Sequence, residues 1–218
     1  MSLRINDTVP NLDLTTDQGS FKLHDFIGDS WTILFSHPKD FTPVCTTEFS
    51  AVAQLAAEWE KRGTKVIGLS VDGVEEHREW KHDIESYCGA PAKFPIIADE
   101  SLEVSKALDM LPANAYLPDG RTAADSASVR VVFIFSPDKK MQLSMTYPMS
   151  VGRNFAEVLR ALDALQATYG QPIATPANWE LGQDVIVALS LNDEEAAAKF
   201  GAIEKPLPYL RTTRLPSC

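Results

Sequence analysis

The sequence predicts an α/β protein, a sheet flanked by helices, followed by a small C-terminal α+β module. Two observations predict it. Apolar runs of strand length at 31–36, 64–71 and 94–98 alternate with stretches at 43–61, 74–87 and 101–109 whose apolar residues recur at helical spacing. Such alternation implies right-handed βαβ crossovers and a sheet covered by helices. Further along, Gln171 to Asn178 interrupts regular structure with two prolines, and the remainder holds one strand (184–189) and one short helix (192–200). That tail is too short to bury a core alone. The division expected is therefore 1–170 and 171–218.

In chain order, a turn at Asp17 to Gly19 separates two short alternating stretches between Asn11 and Phe26, the pattern of a β-hairpin. The alternating core follows. Residues 112–128, rich in Pro, Ala, Asp and Ser, read as loop. Strands are expected at 129–135 and 140–147, joined through the turn Ser136 to Lys139 and hence antiparallel. Phe155, Val158, Leu159, Leu162 and Leu165 then mark an amphipathic helix that starts near 153 and ends by Gly170.

The stretch Ser36 to Phe49, SHPKDFTPVCTTEF, joins a buried strand to an amphipathic helix through Cys45. Thr42 followed by Pro43 is a helix start, a hydroxyl N-cap with proline at the first helical position, and it puts Cys45 in the first turn. There a thiol faces free backbone N–H groups and the positive end of the helix dipole, both of which favour the thiolate. A small buried hydrophobe is the commoner fate of a lone cysteine, but a structural thiol needs neither the Thr-Pro start nor His37 nearby. Cys88 is an internal control: it ends helix 74–87 before Gly89, where the dipole is negative, and reads as structural.

Pro38, Thr42 and Cys45 match the P-x-x-x-T-x-x-C motif of the peroxiredoxins, and the whole stretch resembles their one-cysteine subfamily. The resemblance continues through Val129 to Phe135, Pro137 to Lys140, Tyr147-Pro148, Gly152 to Phe155 and Thr175 to Trp179, ending at Tyr209 to Arg211. It implies a thioredoxin-like mixed sheet for 1–170 and a C-terminal peroxiredoxin module for 171–218. It also implies a thiol-dependent peroxidase, an antioxidant enzyme that reduces hydrogen peroxide and organic hydroperoxides. Cys45 would be the nucleophile, passing through a sulfenic acid, with Thr42 and Arg130 holding the peroxide and Pro38 shielding the thiolate. No metal, flavin or haem is required. The reductant is an external thiol, of glutathione or thioredoxin type.

Arg130 stands in an apolar strand on the same face as Val132 and Ile134, where it needs an anion. Glu48, one helical turn from Cys45, is one candidate and the Cys45 thiolate the other; the resemblance implies contact with both. The alternative is an edge strand with Arg130 in solvent. Arg153, at the start of a helix where its charge opposes the dipole, supports the pocket by resemblance; on the residues alone the alternative is a plain surface arginine. By resemblance, too, His37 comes within reach of the sulfur. His24 carries no marking pattern, and His77 and His82, on a charged helix, are expected in solvent.

Rival chemistries are weaker. A disulfide oxidoreductase needs C-x-x-C, but Thr46, Thr47 and Glu48 follow Cys45. No marked histidine and orienting partner supports a cysteine protease. A phospholipase site is described for some relatives, and His24, Ser30 and Asp138 occupy the matching positions. Here the G-x-S-x-G pattern ends in Thr32, and Ser30 precedes a strand where a nucleophile elbow follows one. A chaperone-like holdase is the alternative from outside enzymology, and it would survive loss of the Cys45 thiol.

With 20 Lys+Arg against 30 Asp+Glu, net −10, a nucleic-acid or anionic-membrane partner is not expected. Three cysteines with no metal-ligand spacing suit a reducing compartment, and the N-terminus lacks a signal-peptide layout, so a cytoplasmic setting is expected. Met141 to Pro148 carries no charge, and as an end strand it would pair with a second copy to give a homodimer through strand 140–147. Cys218 departs from the one-cysteine pattern and is expected to be an exposed bystander, the alternative being a disulfide with Cys45 of the same or the partner subunit.

Overall fold

The computed structural model describes residues 3–113, 115 and 127–215. Cys218 and most of the 112–128 loop lie outside them. The chain forms two compact units, Met1–Arg153 and Asn154–Cys218.

The first unit opens with the expected hairpin, β1 (Asp13–Thr16) and β2 (Gly19–Lys22), and a short helix α1 (Leu23–Ile27) that periodicity alone did not mark. Then come β3 (Trp31–Ser36), α2 (Pro43–Gln54), α3 (Ala56–Lys61), β4 (Thr64–Ser70), α4 (Val74–Cys88), β5 (Ile96–Ala98), α5 (Glu103–Ala107), β6 (Arg130–Phe135) and β7 (Met141–Tyr147). The single helix expected over 43–61 is two. The Val52 carbonyl accepts from Leu55 N–H and from the Trp59 indole at 3.0 Å, and the chain tightens at Leu55 before α3 restarts.

The sheet runs β2-β1-β5-β4-β3-β6-β7. β3 is parallel to β4, and β4 to β5, as βαβ crossovers require; β6 is antiparallel to both β3 and β7. This is the mixed sheet the resemblance implies. Arg130 therefore belongs to an interior strand, which removes the edge-strand alternative.

One face of the sheet is a core of Leu34, Ile67, Leu69, Val131, Phe133 and Phe135 with Leu23, Ile27, Val104 and Leu108. The opposite face carries α2 on an aromatic cluster in which Phe49 sits 4.7 Å from Phe35, 4.6 Å from Trp80 and 5.5 Å from Phe94, centroid to centroid. A Cβ at Gly68 of β4 would lie 2.9 Å from Phe49 Cζ. Glycine thus lets that ring lie against the strand, and this sets the height of α2 and of Cys45 above the sheet.

The second unit comprises α6 (Phe155–Thr168), β8 (Ile173–Ala174), β9 (Val185–Val187), α7 (Asp193–Phe200), β10 (Glu204–Leu207) and β11 (Leu210–Thr213), with sheet order β10-β11-β9-β8. Its core is Ile173, Trp179 and Val185, against which Ala164 and Ala167 of α6 pack. The long helix thus groups with the tail, and the units divide before it rather than at Gly170. Asn154 caps α6, and Asn192 with Glu195 forms a capping box on α7. No helix among the described residues is long and apolar enough to cross a membrane.

Candidate active site

Four of the residues singled out from the sequence meet in one buried cluster. Cys45 is fully buried in the first turn of α2, and Glu48 follows on the same face. Arg130, first residue of β6, places Nη1 3.3 Å from Cys45 Sγ and 2.7 Å from Glu48 Oε2, while its Nε donates to the Met149 carbonyl at 2.9 Å. Arg153 approaches from the other side. Its Nη2 donates to Glu48 Oε2 at 2.7 Å, its Nε and backbone N–H to Oε1 at 2.9 and 2.8 Å, and its Nη1 to the carbonyls of Ser36 and Val131 at 2.8 Å each. Its guanidinium also lies over the Phe35 ring, 5.3 Å from the centroid.

Electrostatics follow from the count of charges. Burial pushes the Glu48 carboxyl up, but Arg153 and Arg130 outweigh it and hold the group below its ordinary range. Burial likewise draws Arg153 down, opposed by Glu48. Two guanidinium ions around one carboxylate leave a positive charge in surplus, and Cys45 Sγ is the group that Arg130 reaches next. A buried ion is tolerated when paired, so the cluster is neutral when the sulfur is a thiolate.

Arg153 does not stand on a helix opposing its dipole, because α6 begins at Phe155; it precedes the cap and turns inward. Thr42 is the N-cap of α2 by backbone geometry, but its hydroxyl donates to the Lys39 carbonyl at 2.9 Å instead of capping, so the predicted hydroxyl cap is corrected. Pro38 is buried in the loop between β3 and α2.

His37 joins a different network. Its Nε2 lies 2.6 Å from Asp40 Oδ1, and its ring is stacked on Trp80 and edge-on to Phe49. His77 is not in solvent. It is fully buried with Nδ1 2.6 Å from Asp40 Oδ2, while His82 is exposed as expected. The signal that would have found it is its spacing with Trp80 and Ile84, which share the buried stripe of α4. Asp40 was missed as well. Burial pushes its carboxyl up, yet hydrogen bonds from both histidines bring it down to about 2. Ligand atoms of His37, Asp40 and Asp72 lie within 4.8 Å of one another. They are spent on hydrogen bonds, Asp72 Oδ2 accepting from Asp40 N–H and Ser70 O–H at 2.8 Å each.

Among the described residues nothing comparable forms around Ser30. It lies in the turn before β3, where its N–H donates to the Ile27 carbonyl. The Nε2 of His24 is held by the Val9 carbonyl at 2.7 Å, and Asp138 accepts from Ser136 and pairs with Lys140.

Residues 5–144 match the AhpC/TSA family, and residues 164–201 match the C-terminal domain of 1-Cys peroxiredoxin. Peroxiredoxin-6 of Gallus gallus is 48% identical, the match covering 98% of each chain. Among solved structures, a cysteine-to-serine mutant of the peroxiredoxin 6 of Arenicola marina superposes with a TM-score of 0.91 at 42% identity over 100% of both chains. A yeast mitochondrial 1-Cys peroxiredoxin, described as resolved via glutathione/thioredoxin systems, does so at 0.88 and 47% identity, covering 97% of this chain and 99% of the other.

Proposed function

This chain belongs to the AhpC/TSA family as a thiol-dependent peroxidase of the 1-Cys peroxiredoxin type, and from that premise we propose that Cys45 is its nucleophile, acting on hydrogen peroxide and organic hydroperoxides. The observation that carries the assignment is the surplus guanidinium charge of Arg130 at 3.3 Å from Cys45 Sγ, in a cluster that Glu48 alone cannot neutralise. The thiolate attacks the terminal oxygen of R–O–O–H. An S–O bond forms, the O–O bond breaks, and the leaving RO⁻ takes a proton to give water or an alcohol.

As the O–O bond breaks, negative charge moves from sulfur to oxygen. Arg130 Nη1, already at the sulfur, stabilises both ends of that shift. Arg153 holds Glu48, and Glu48 holds Arg130, so the donor is in place before the peroxide arrives. The Thr42 hydroxyl, one turn before the sulfur, keeps its lone pairs for a peroxide O–H, and buried Pro38 keeps bulk water from the thiolate.

The sulfenic acid returns to thiol when two equivalents of an external thiol give one disulfide and water. Glutathione or a thioredoxin-type donor is the reductant, a reading supported by the yeast relative's two systems. A reducing compartment, the cytoplasm in the first instance, suits that cycle. We also assign a homodimer to β7, the end strand. Its outer edge at Met141 is taken by Asn6 and Asp7, with a bridge from Thr8 to Lys140; among the described residues no segment pairs with Gln142–Tyr147 on that side. A monomer by light scattering at micromolar concentration would refute it.

Stopped-flow turnover of hydrogen peroxide and an organic hydroperoxide, run with glutathione and with thioredoxin in parallel, tests the whole cycle. Expected is a fast single oxidation of one thiol per chain, absent in Cys45→Ser; oxidation that persists in that variant sinks the assignment.

A further inference from the structure

Thr47, Ser50, Ala51 and Gln54 of α2 line a groove of about 380 Å3 whose other wall is Tyr87 and Cys88 at the end of α4. At 3.6 residues per turn, Thr47, Ser50 and Gln54 lie about 140–200° around the helix from Cys45, so the groove is on the flank turned away from the sulfur. One group in it is out of place. Ser50 is 4% exposed, and its hydroxyl has no hydrogen-bond partner among the described residues. Leaving a buried hydroxyl unpaired is costly, and this one belongs to the lining of a groove with room for much more than a water molecule.

The other polar groups of the lining have hydrogens engaged within the fold and keep lone pairs. The Thr47 hydroxyl donates to the Val44 carbonyl at 2.7 Å, the Gln54 amide to the Cys88 carbonyl at 3.3 Å, and the Cys88 thiol to the Ala90 carbonyl at 3.4 Å. Thr47 Oγ1, Gln54 Oε1 and Cys88 Sγ are left to accept. Among the described residues no charged side chain lines the groove. At Cys88 the dipole of α4 is negative, and no basic residue stands in the last turn to offset it. Tyr87, largely exposed, adds an aromatic wall of the kind that takes a cation over its face.

We propose that this groove between α2 and the C-terminal end of α4 binds a small aliphatic ammonium ion. An –NH3+ group carries three donors and no acceptor, the complement of this lining. Ser50 Oγ accepts one of its hydrogens, Thr47 Oγ1 or Gln54 Oε1 another, and the charge lies against the negative end of α4. An anion would meet no cation here, and a neutral polyol would leave the helix end uncompensated. The site shares no residue with the Cys45 cluster, so it stands whether or not Cys45 is the nucleophile.

Amide spectra of the full-length, reduced, 15N-labelled protein locate the ligand. The probes are butanediamine, its uncharged counterpart butanediol, and lysine with both backbone ends blocked, all at one ionic strength. Expected is a saturable shift of the signals of Thr47, Ser50, Ala51, the Gln54 side chain, Cys88 and Gly89 with an ammonium probe and none with the diol. The tighter of the two ammonium probes tells whether the site prefers a free amine or the side chain of a protein. No saturable shift with either ammonium probe up to about 10 mM overturns the proposal. Equal shifts from the diol overturn it too, as do shifts scattered over the surface of this acidic chain.

Substitutions separate a cation site from a merely polar groove. Ser50→Ala removes the buried hydroxyl and should weaken ammonium binding about fivefold or more, with the peroxide rate unchanged. Gln54 is exposed and reports on charge. Gln54→Glu should tighten binding about threefold or more, and Gln54→Lys should abolish it. An affinity within about twofold of the parent in Ser50→Ala, or the two Gln54 variants moving in the same direction, would overturn the proposal. If Ser50→Ala fails to fold, the mapped shifts of the parent and the Gln54 pair decide.

Discussion

Cys45 and Cys88 belong to the same unit, each within a turn of a helix end, and differ in almost everything else. Cys45 opens α2, fully buried, with a guanidinium at 3.3 Å and a second one locked behind it by Glu48. Cys88 closes α4, half-buried, where the carbonyl ends of the helix converge and Gly89 turns the chain away at φ 71°. Its sulfur donates to the Ala90 carbonyl at 3.4 Å, and among the described residues no hydrogen bond or ion pair brings it a cation. On the proposed assignment of Cys45 as the nucleophile, what separates the two thiols is their surroundings, namely the polarity of the helix end and the charge balance of the cluster.

The sharpest way to break the comparison is to remove each partner of Cys45 in turn. Cys45→Ser should reduce peroxide turnover to background with the fold intact, because the swap is nearly isosteric and its cost falls on nucleophilicity; circular dichroism and stopped-flow rates check both halves. Arg130→Ala should come next, slowing oxidation by a factor on the order of 10²–10³, the range for losing one preorganised donor. An unchanged rate would move the arginine out of the mechanism.

Arg153→Ala tests a different link, because among the described residues Glu48 accepts three hydrogen bonds from Arg153, one through its backbone, and one from Arg130. Removing one partner of a buried ion pair costs about 3–5 kcal/mol, so the thermal midpoint should fall well before any effect on chemistry is interpreted. Buried groups that resist protonation make the fold acid-sensitive. Glu48, Asp40 and His37 are all held below their ordinary values of 4.5, 3.8 and 6.5. For each, the unfolded chain binds the proton more readily, so the stabilisation is complete above the ordinary value and is lost as pH falls below it. Chemical denaturation should therefore show stability falling gently below pH 6.5 and steeply below pH 4.5. A flat profile down to pH 4 would mean that these groups are not buried in solution.

Where sequence reading succeeded, one residue carried both a local and a tertiary signal. The placement of Cys45 in the first turn of a helix was legible because Thr42-Pro43 fixes the helix start, and the burial of Arg130 against Glu48 because a charge in an apolar strand demands an anion. Where it failed, the signal was tertiary alone. His77 sits among charged neighbours on α4, and its burial follows from a stripe shared with Trp80 and Ile84 that its polarity disguised. Asp40 has no local pattern at all; it matters because β3 and α4 bring two histidines to its two oxygens. The hydroxyl cap failed for a local reason, since the Lys39 carbonyl competes for the same hydroxyl. The break at Leu55 needed the position of the Trp59 indole, which no periodicity contains.

The smallest expected effect is the one that makes the comparison exact. Cys88→Ser replaces a half-buried thiol whose one side-chain hydrogen bond among the described residues is donated to Ala90 O, and a serine hydroxyl can make that bond from the same position. The backbone turn does not depend on the side chain either, because Gly89 supplies the left-handed residue and its N–H closes on Glu85 O at 2.8 Å. Stability should therefore stay within about 0.5 kcal/mol of the parent, and the peroxide rate should be unchanged. Thiol-specific labelling before and after one equivalent of peroxide gives the second readout: the label lost should map to Cys45, with Cys88 still reduced. Oxidation of Cys88 at a comparable rate would mean that helix polarity and charge balance do not decide which thiol reacts here.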